Sequence, residues 1–167
     1  MKPIPPPDAH HLRAAVGWIE LGLISEAKHE LSRLALTYRS HPDHLEVRWA
    51  VCAHEDAWDE ALRIARELIH LVPDRASGWL HQAFALRRIE GGGLDKAWSA
   101  LLPAYDRFPK EAVIPYNLSC YACLMNRIPE ARDWLKRAVH TGGKEQIKRL
   151  ALEDADLRPL WEEIRGL

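Results

Sequence analysis

The residues of this 167-residue chain that could do chemistry are a close pair of cysteines and nine scattered histidines. Cys120 and Cys123 have the Cys-x-x-Cys spacing of thiol redox sites and of zinc sites. Redox pairs lie at a helix N-terminus, where the dipole lowers the thiol pKa, but this pair is expected mid-helix, after Pro115. Zinc needs two further ligands, for which Cys52 with His54 is a loose candidate. We interpret the pair as small apolar groove or core residues and predict no metal and no cofactor.

No other motif indicates catalysis. The histidines include no His-x-x-x-His pair with a glutamate between them. The run 91–93, Gly-Gly-Gly, lacks the lysine and hydroxyl residue of a phosphate loop and follows a helix rather than a strand. Because no acid, base and nucleophile cluster in the sequence, we predict that the protein is not an enzyme.

Composition indicates a helical globular chain. Leucine (23) and alanine (22) dominate, whereas valine, isoleucine and threonine together number 18, which nearly excludes an all-β fold. With 47% hydrophobic residues the chain is not a disordered one. The net charge of −1 argues against a dedicated nucleic-acid binder, which is usually basic.

The cellular compartment is predicted from three features of the sequence: possible membrane-spanning segments, a possible signal peptide and the number of cysteines. The longest stretch without a charge, Ala112 to Asn126, has 15 residues, short of the roughly 20 that span a bilayer. The first residues lack an apolar run of signal-peptide length. Three cysteines are too few for a disulfide framework, and an odd number cannot all pair within the chain. We therefore expect a cytoplasmic protein with no membrane contact.

A sequence pattern that occurs four times indicates a repeated turn between helices. Four segments share a turn-forming residue, a large apolar residue two positions later and an alanine three beyond that. The alanines are Ala27, Ala61, Ala97 and Ala131, spaced by 34, 36 and 34 residues. The longer spacing fits two extra residues in the turn 90–93.

Each repeated alanine opens an amphipathic helix, and another helix precedes each turn. After Ala61, for example, Ala65 and Leu68 continue one helical face. Pro73 and Pro109 are expected to end second helices, because proline cannot continue the hydrogen-bond ladder.

A helix–turn–helix repeat of this length with these marks resembles the tetratricopeptide repeat (TPR) family. The resemblance implies an all-α fold, a right-handed superhelical solenoid of antiparallel helix pairs with about ten helices. The predicted divisions are a Pro-rich tail at 1–8, four repeats within 9–143 (9–41, 42–74, 75–110 and 111–143) and C-terminal capping helices at 144–167.

The last segment has the pattern of a cap, with apolar stripes at helical spacing on an otherwise charged segment. Asp156 is expected to cap the last helix, and Pro159 to lie in its first turn. The stripes are Ile147, Leu150 and Ala151, then Leu157, Leu160, Trp161 and Ile164.

The resemblance further implies that the first helix of each repeat lines a concave groove for partner peptides. The expected groove residues are Val16, Ile19, His54, Leu80, Phe84, Arg87, Arg88, Tyr116, Asn117, Cys120 and Cys123. Glu20, Glu46 and Ala50 are expected to point inward with them.

This groove is predicted to be apolar, with Arg87 and Arg88 as its cations. The Lys and Asn set by which some family members hold a terminal carboxylate is not matched, because Asn117 lacks the lysine. A chaperone C-terminal tail is therefore not the expected ligand. Two alternatives stay open: the arginines form a solvated helix end, or the Pro-rich tail covers Leu80, Phe84 and Tyr116.

Charge is uneven along the chain. Residues 1–74 hold 8 cations and 12 anions, a net charge of −4, whereas residues 75–167 hold 15 and 12, a net charge of +3. The basic stretch 127–149 fits a solvated face better than a site for RNA or an acidic partner, because its cations are interspersed.

These patterns favour a non-catalytic protein–protein interaction module, a TPR scaffold or adaptor, with a protein or peptide partner. One alternative is a secretion-type chaperone that grips an extended client segment. Another is an RNA-binding helical-repeat protein, which the apolar groove disfavours. Self-association is left open.

Overall fold

The computed structural model describes residues 2–166, which form ten α-helices and two 3₁₀ helices with no strand in that range. The predictions of an all-α chain and of about ten helices are confirmed. The α-helices are α1 (Asp8–Glu20), α2 (Ile24–Ser32), α3 (Pro42–His54), α4 (Trp58–Leu71), α5 (Ala76–Leu86), α6 (Leu94–Arg107), α7 (Val113–Leu124), α8 (Ile128–Gly142), α9 (Lys144–Glu153) and α10 (Trp161–Arg165). The 3₁₀ helices span Leu36–Tyr38 and Ala155–Leu160. None of the helices described is long and apolar enough to cross a membrane.

The turns inside the predicted repeats share one backbone conformation. Gly22, Asp56 and Asn126 have φ values of 74°, 54° and 59°, in the left-handed region. The amide after each of them donates to the carbonyl five residues earlier, at 2.8, 2.9 and 2.8 Å. This is the Schellman closure of a helix C-terminus, and it explains why a turn-forming residue recurs there.

The third turn is longer by two residues, as its spacing predicted. Here the amide of Gly93 donates to the carbonyl of Leu86, seven residues earlier, at 2.8 Å. A Cβ atom at Gly92 would lie 2.1 Å from that same carbonyl oxygen, so only glycine fits this position.

The chain divides into two compact units, Met1–Ala85 and Leu86–Leu167. In the first unit α1 pairs with α2, α3 pairs with α4, and α3 packs on both α1 and α2. Ala15, Ala27, Ala61 and Ala65 are fully buried, so small side chains allow close helix approach here.

The Pro-rich N-terminus packs on the first unit. Ile4 is buried in a cluster with residues of α1, α2 and α3, and His41 Nε2 lies 3.0 Å from the Lys2 carbonyl oxygen. The Asp8 carboxylate accepts a 2.6 Å hydrogen bond from the Ala35 amide. These contacts place the tail beside the α2–α3 connection.

In the second unit α7 packs on α6 and α8, and the C-terminal helices pack on α7 and α8. The helix end near Pro109 is as predicted, since α6 ends at Arg107. Pro103, however, lies inside α6, which the sequence analysis did not anticipate. Two α-helices fall within each predicted repeat window, apart from the first residue of α1, but the domain boundaries themselves stay predictions.

The C-terminal segment corrects one prediction. The last helix begins at Trp161, so Asp156 and Pro159 lie before it in the 3₁₀ helix. Asp154 caps that 3₁₀ helix, since its carboxylate accepts a 2.9 Å hydrogen bond from the Asp156 amide, whereas no side chain caps α10. Of the predicted stripe residues, Leu150 is exposed (43%) whereas Ile147, Leu157, Leu160 and Ile164 are buried.

Candidate functional site

A cleft of about 310 Å³ lies in the first unit at the predicted groove positions of α1 and α3. We call it the α1–α3 cleft; it is lined by Val16, Ile19, Glu20, Glu46, Val47, Trp49, Ala50 and His81. The expected groove residues Val16 and Ile19 are thus brought together, with Glu20, Glu46 and Ala50 beside them. Val16 is 41% exposed, so the apolar wall is open to solvent.

Glu46 is held at the edge of this cleft by two partners. Its carboxylate lies 2.7 Å from His81 Nε2 and also accepts a hydrogen bond from the Ser77 hydroxyl. Burial would raise the pKa of Glu46, but the hydrogen bonds from His81 and Ser77 outweigh it and hold the pKa below its ordinary value. Glu46 is therefore a fixed negative charge at neutral pH.

An aromatic cluster forms one side of the cleft and extends into the packing of the unit. The Trp49 and His81 rings stack with centroids 3.7 Å apart and an interplanar angle of 10°. Phe84 meets Trp49 edge-on at 5.7 Å and lies 5.8 Å from Trp58. Phe84 and Leu80 are half-buried, so Phe84 contributes packing within the unit. Trp49 Nε1 is buried without a hydrogen-bond partner among the residues described.

His54 is not part of this arrangement. It ends α3, is exposed, and does not line the cleft. A second cleft of about 440 Å³ in the same unit is more polar, with Lys28, Arg39 and Arg48 among its lining residues.

In the second unit the predicted groove residues bind the chain's own C-terminal segment. Arg87 donates to both carboxylate oxygens of Asp156, at 2.6 and 3.2 Å. The Tyr116 hydroxyl donates to Asp154 Oδ2 at 2.9 Å, and Cys120 Sγ lies 3.5 Å from the same oxygen. Arg87, which was expected as a groove cation, thus forms an ion pair with Asp156 of the same chain.

The two other polar groove candidates, Asn117 and Arg88, also interact within the chain. The Asn117 amide donates to the Val113 carbonyl of its own helix at 2.8 Å. Arg88 is half-buried and not a free cation.

Cys120 and Cys123 are buried in the second half of α7 and are free thiols. Burial and the carboxylates of Asp154 and Asp156 raise the pKa of Cys120 far above its ordinary value, and burial raises that of Cys123 to about 11. Thiols held in the protonated form are poor nucleophiles and poor metal ligands. Within residues 2–166 no group of three or more His, Cys, Asp or Glu side chains could hold a metal ion.

Sequence reasoning missed His81, Trp49 and the two C-terminal aspartates as partners of groove residues. The repeat spacing of 34 residues relates Glu46 to Leu80, and His81 is the next residue. The repeat pattern therefore gave no signal for the contact between Glu46 and His81.

Solved structures show that the chain has the TPR fold. A thermophilic TPR protein of Thermus thermophilus, TTC0263, superposes with a TM-score of 0.71 at 20% identity, over 96% of this chain and 100% of that one. MamA superposes with a TM-score of 0.67 at 15% identity, over 84% of this chain and 81% of its own. A MamA double mutant gives a TM-score of 0.66 at 14% identity, over 83% and 77%. No family model matches the sequence, and no curated protein matches it.

Proposed function

We propose that this chain is a non-catalytic protein–protein interaction module that holds a peptide segment or a helix of a partner in the α1–α3 cleft. The observation that carries the proposal is the open apolar wall of that cleft. Val16 is 41% exposed beside Ile19, Val47 and Ala50. Exposed apolar surface in a concave site favours association, because burying it removes it from water.

Two features support this class of function over the others. The lining of the cleft contains Glu20 and Glu46 but no lysine or arginine, which disfavours the phosphate backbone of RNA. The three buried free thiols suit a reducing compartment, so we expect the partner to be met in the cytoplasm. An extended client segment of a secretion-type chaperone would use the same apolar wall.

The test is a pull-down with the intact chain, compared between two surface variants. Val16→Asp places a charge in the apolar wall, and Leu36→Asp makes the same kind of change at a residue that is 74% exposed and outside the cleft. Both should fold, because both positions are exposed. We expect a partner protein to be recovered by the native chain and by Leu36→Asp, and lost with Val16→Asp.

A partner recovered equally well by Val16→Asp would contradict the proposed binding face. Recovery that depends on RNA, as shown by nuclease treatment, would instead favour the RNA-binding class. Urea unfolding of each variant checks that a lost partner is not a lost fold.

A further inference from the structure

We infer that the α1–α3 cleft selects segments in which an apolar side chain stands beside a lysine or an arginine. This inference rests on the proposed function, since it specifies the chemistry of the segment that the same cleft would hold. It follows from how charge and apolar surface are arranged in the first unit.

The carboxylates of the cleft are Glu20 and Glu46, and His81 is its one basic side chain among the residues described. No lysine or arginine lies among its lining residues. Glu20 is exposed and has no hydrogen-bond or ion-pair partner among the residues described. Glu46 is bound by His81 and Ser77, which keep it ionised. A cation on the bound segment would therefore meet the unpaired carboxylate of Glu20, beside a Glu46 carboxylate that His81 and Ser77 hold in place.

The surrounding sequence has the same sign, because residues 1–74 carry 8 cations and 12 anions, a net charge of −4. A negative surface attracts a basic segment and repels an acidic one before contact is made. The cleft thus differs from a site for acidic peptides, which would need cations at its rim.

The floor of the cleft accepts an apolar side chain. Val16, Ile19, Val47 and Ala50 form its apolar part, and its volume is about 310 Å³. An apolar cavity of about 150 Å³ is enough to hold a benzene ring. Burial of one aliphatic side chain would supply affinity, while the flanking carboxylates would set its register through the neighbouring cation.

The test begins with a phage-displayed library of random 12-residue peptides, selected against the immobilised full chain. We expect the selected peptides to be enriched in lysine or arginine next to leucine, isoleucine, valine or methionine. A selected peptide is then labelled with a fluorophore and titrated by anisotropy against the native chain, Glu20→Lys and Glu26→Lys. Glu26 is an exposed glutamate of α2 outside the cleft, so the control changes the net charge equally.

Glu20→Lys should weaken binding by about 10-fold or more, since a like charge then faces the cation of the peptide, whereas Glu26→Lys should change it by less than about 2-fold. Affinity of the native chain should also fall as salt is raised. Selection of apolar or acidic peptides, or equal binding by Glu20→Lys, would overturn this inference and leave the proposed function standing. Selection of no peptide at all would overturn both.

Discussion

Arg87 and Asp156 are 69 residues apart in the sequence, yet the guanidinium donates hydrogen bonds of 2.6 and 3.2 Å to the carboxylate. Both side chains are only about a quarter exposed, at 24% and 25%. Next to this pair, Tyr116 of α7 donates to Asp154. The C-terminal segment is therefore held by hydrogen bonds to Arg87 and to Tyr116 of α7.

Replacing Asp156 by Asn should lower the free energy of unfolding by about 1.5–3 kcal/mol, the range for hydrogen bonds to charged groups. Urea unfolding measures the change, and a double-mutant cycle with Arg87→Met isolates the pair. The matched control is Asp133→Asn, since Asp133 is 68% exposed and 3.4 Å from Lys136; it should cost at most about 1 kcal/mol. An Asp156→Asn chain as stable as the native one would mean that the pair does not secure the C-terminal segment.

Ala97 is the repeated alanine of α6 and has no exposed surface. Ala97→Leu should lower the free energy of unfolding by about 1–3 kcal/mol, because a close-packed interior has no room for three more carbons. Ala14→Leu makes the same substitution at an exposed position of α1 and should be nearly neutral. Urea midpoints report both changes, and an unchanged midpoint for Ala97→Leu would show that this helix contact is wrong.

His44 predicts a pH dependence of stability. Burial disfavours its charged form and lowers its pKa below 6.5, although the hydrogen bond to the Arg39 carbonyl at 2.9 Å opposes this. The unfolded chain therefore binds a proton that the folded chain excludes. The stabilisation is present above the unfolded pKa and is lost as pH falls from 6.5 toward the lower folded pKa.

The free energy of unfolding, measured in urea from pH 7 down to pH 5, should therefore fall less steeply in His44→Asn than in the native chain. Asparagine keeps a side-chain donor near the position of Nδ1 but does not titrate. The matched substitution control is His140→Asn, at an exposed histidine of α8. Parallel slopes for the native chain and His44→Asn would exclude His44 as the titrating group.

The buried thiols should react slowly with a thiol reagent. Burial raises the pKa of Cys52 and that of Cys123, the latter to about 11, and raises that of Cys120 further still. Because only the thiolate reacts, the native chain at pH 8 should be labelled far more slowly than the chain in urea, where all three cysteines react. An added exposed cysteine, Ser99→Cys, should react promptly and serves as the positive control. Prompt labelling of the native chain would contradict the burial and the raised pKa values of these thiols.

Local rules made the helices and turns predictable. The alanines at Ala27, Ala61, Ala97 and Ala131 are all fully buried, because small side chains are needed wherever paired helices come close. The turn residues Gly22, Asp56 and Asn126 recur because a left-handed residue closes the first helix at three of the four turns. The residues that meet these requirements lie within a few positions of one another and recur along the chain, so the sequence alone reveals them.

The sequence by itself therefore determined the all-α helix-pair fold and the positions of Val16 and Ile19 on one face of α1. It did not determine which groove candidates are open, and Arg87 and Phe84 received the same prediction as Val16. Only the tertiary structure pairs Arg87 with Asp156 and packs Phe84 on Trp49. The physical reason is that these partners are 69 and 35 residues apart in the chain. Whether such distant residues meet depends on how the helices pack in three dimensions, and local periodicity contains no information about that.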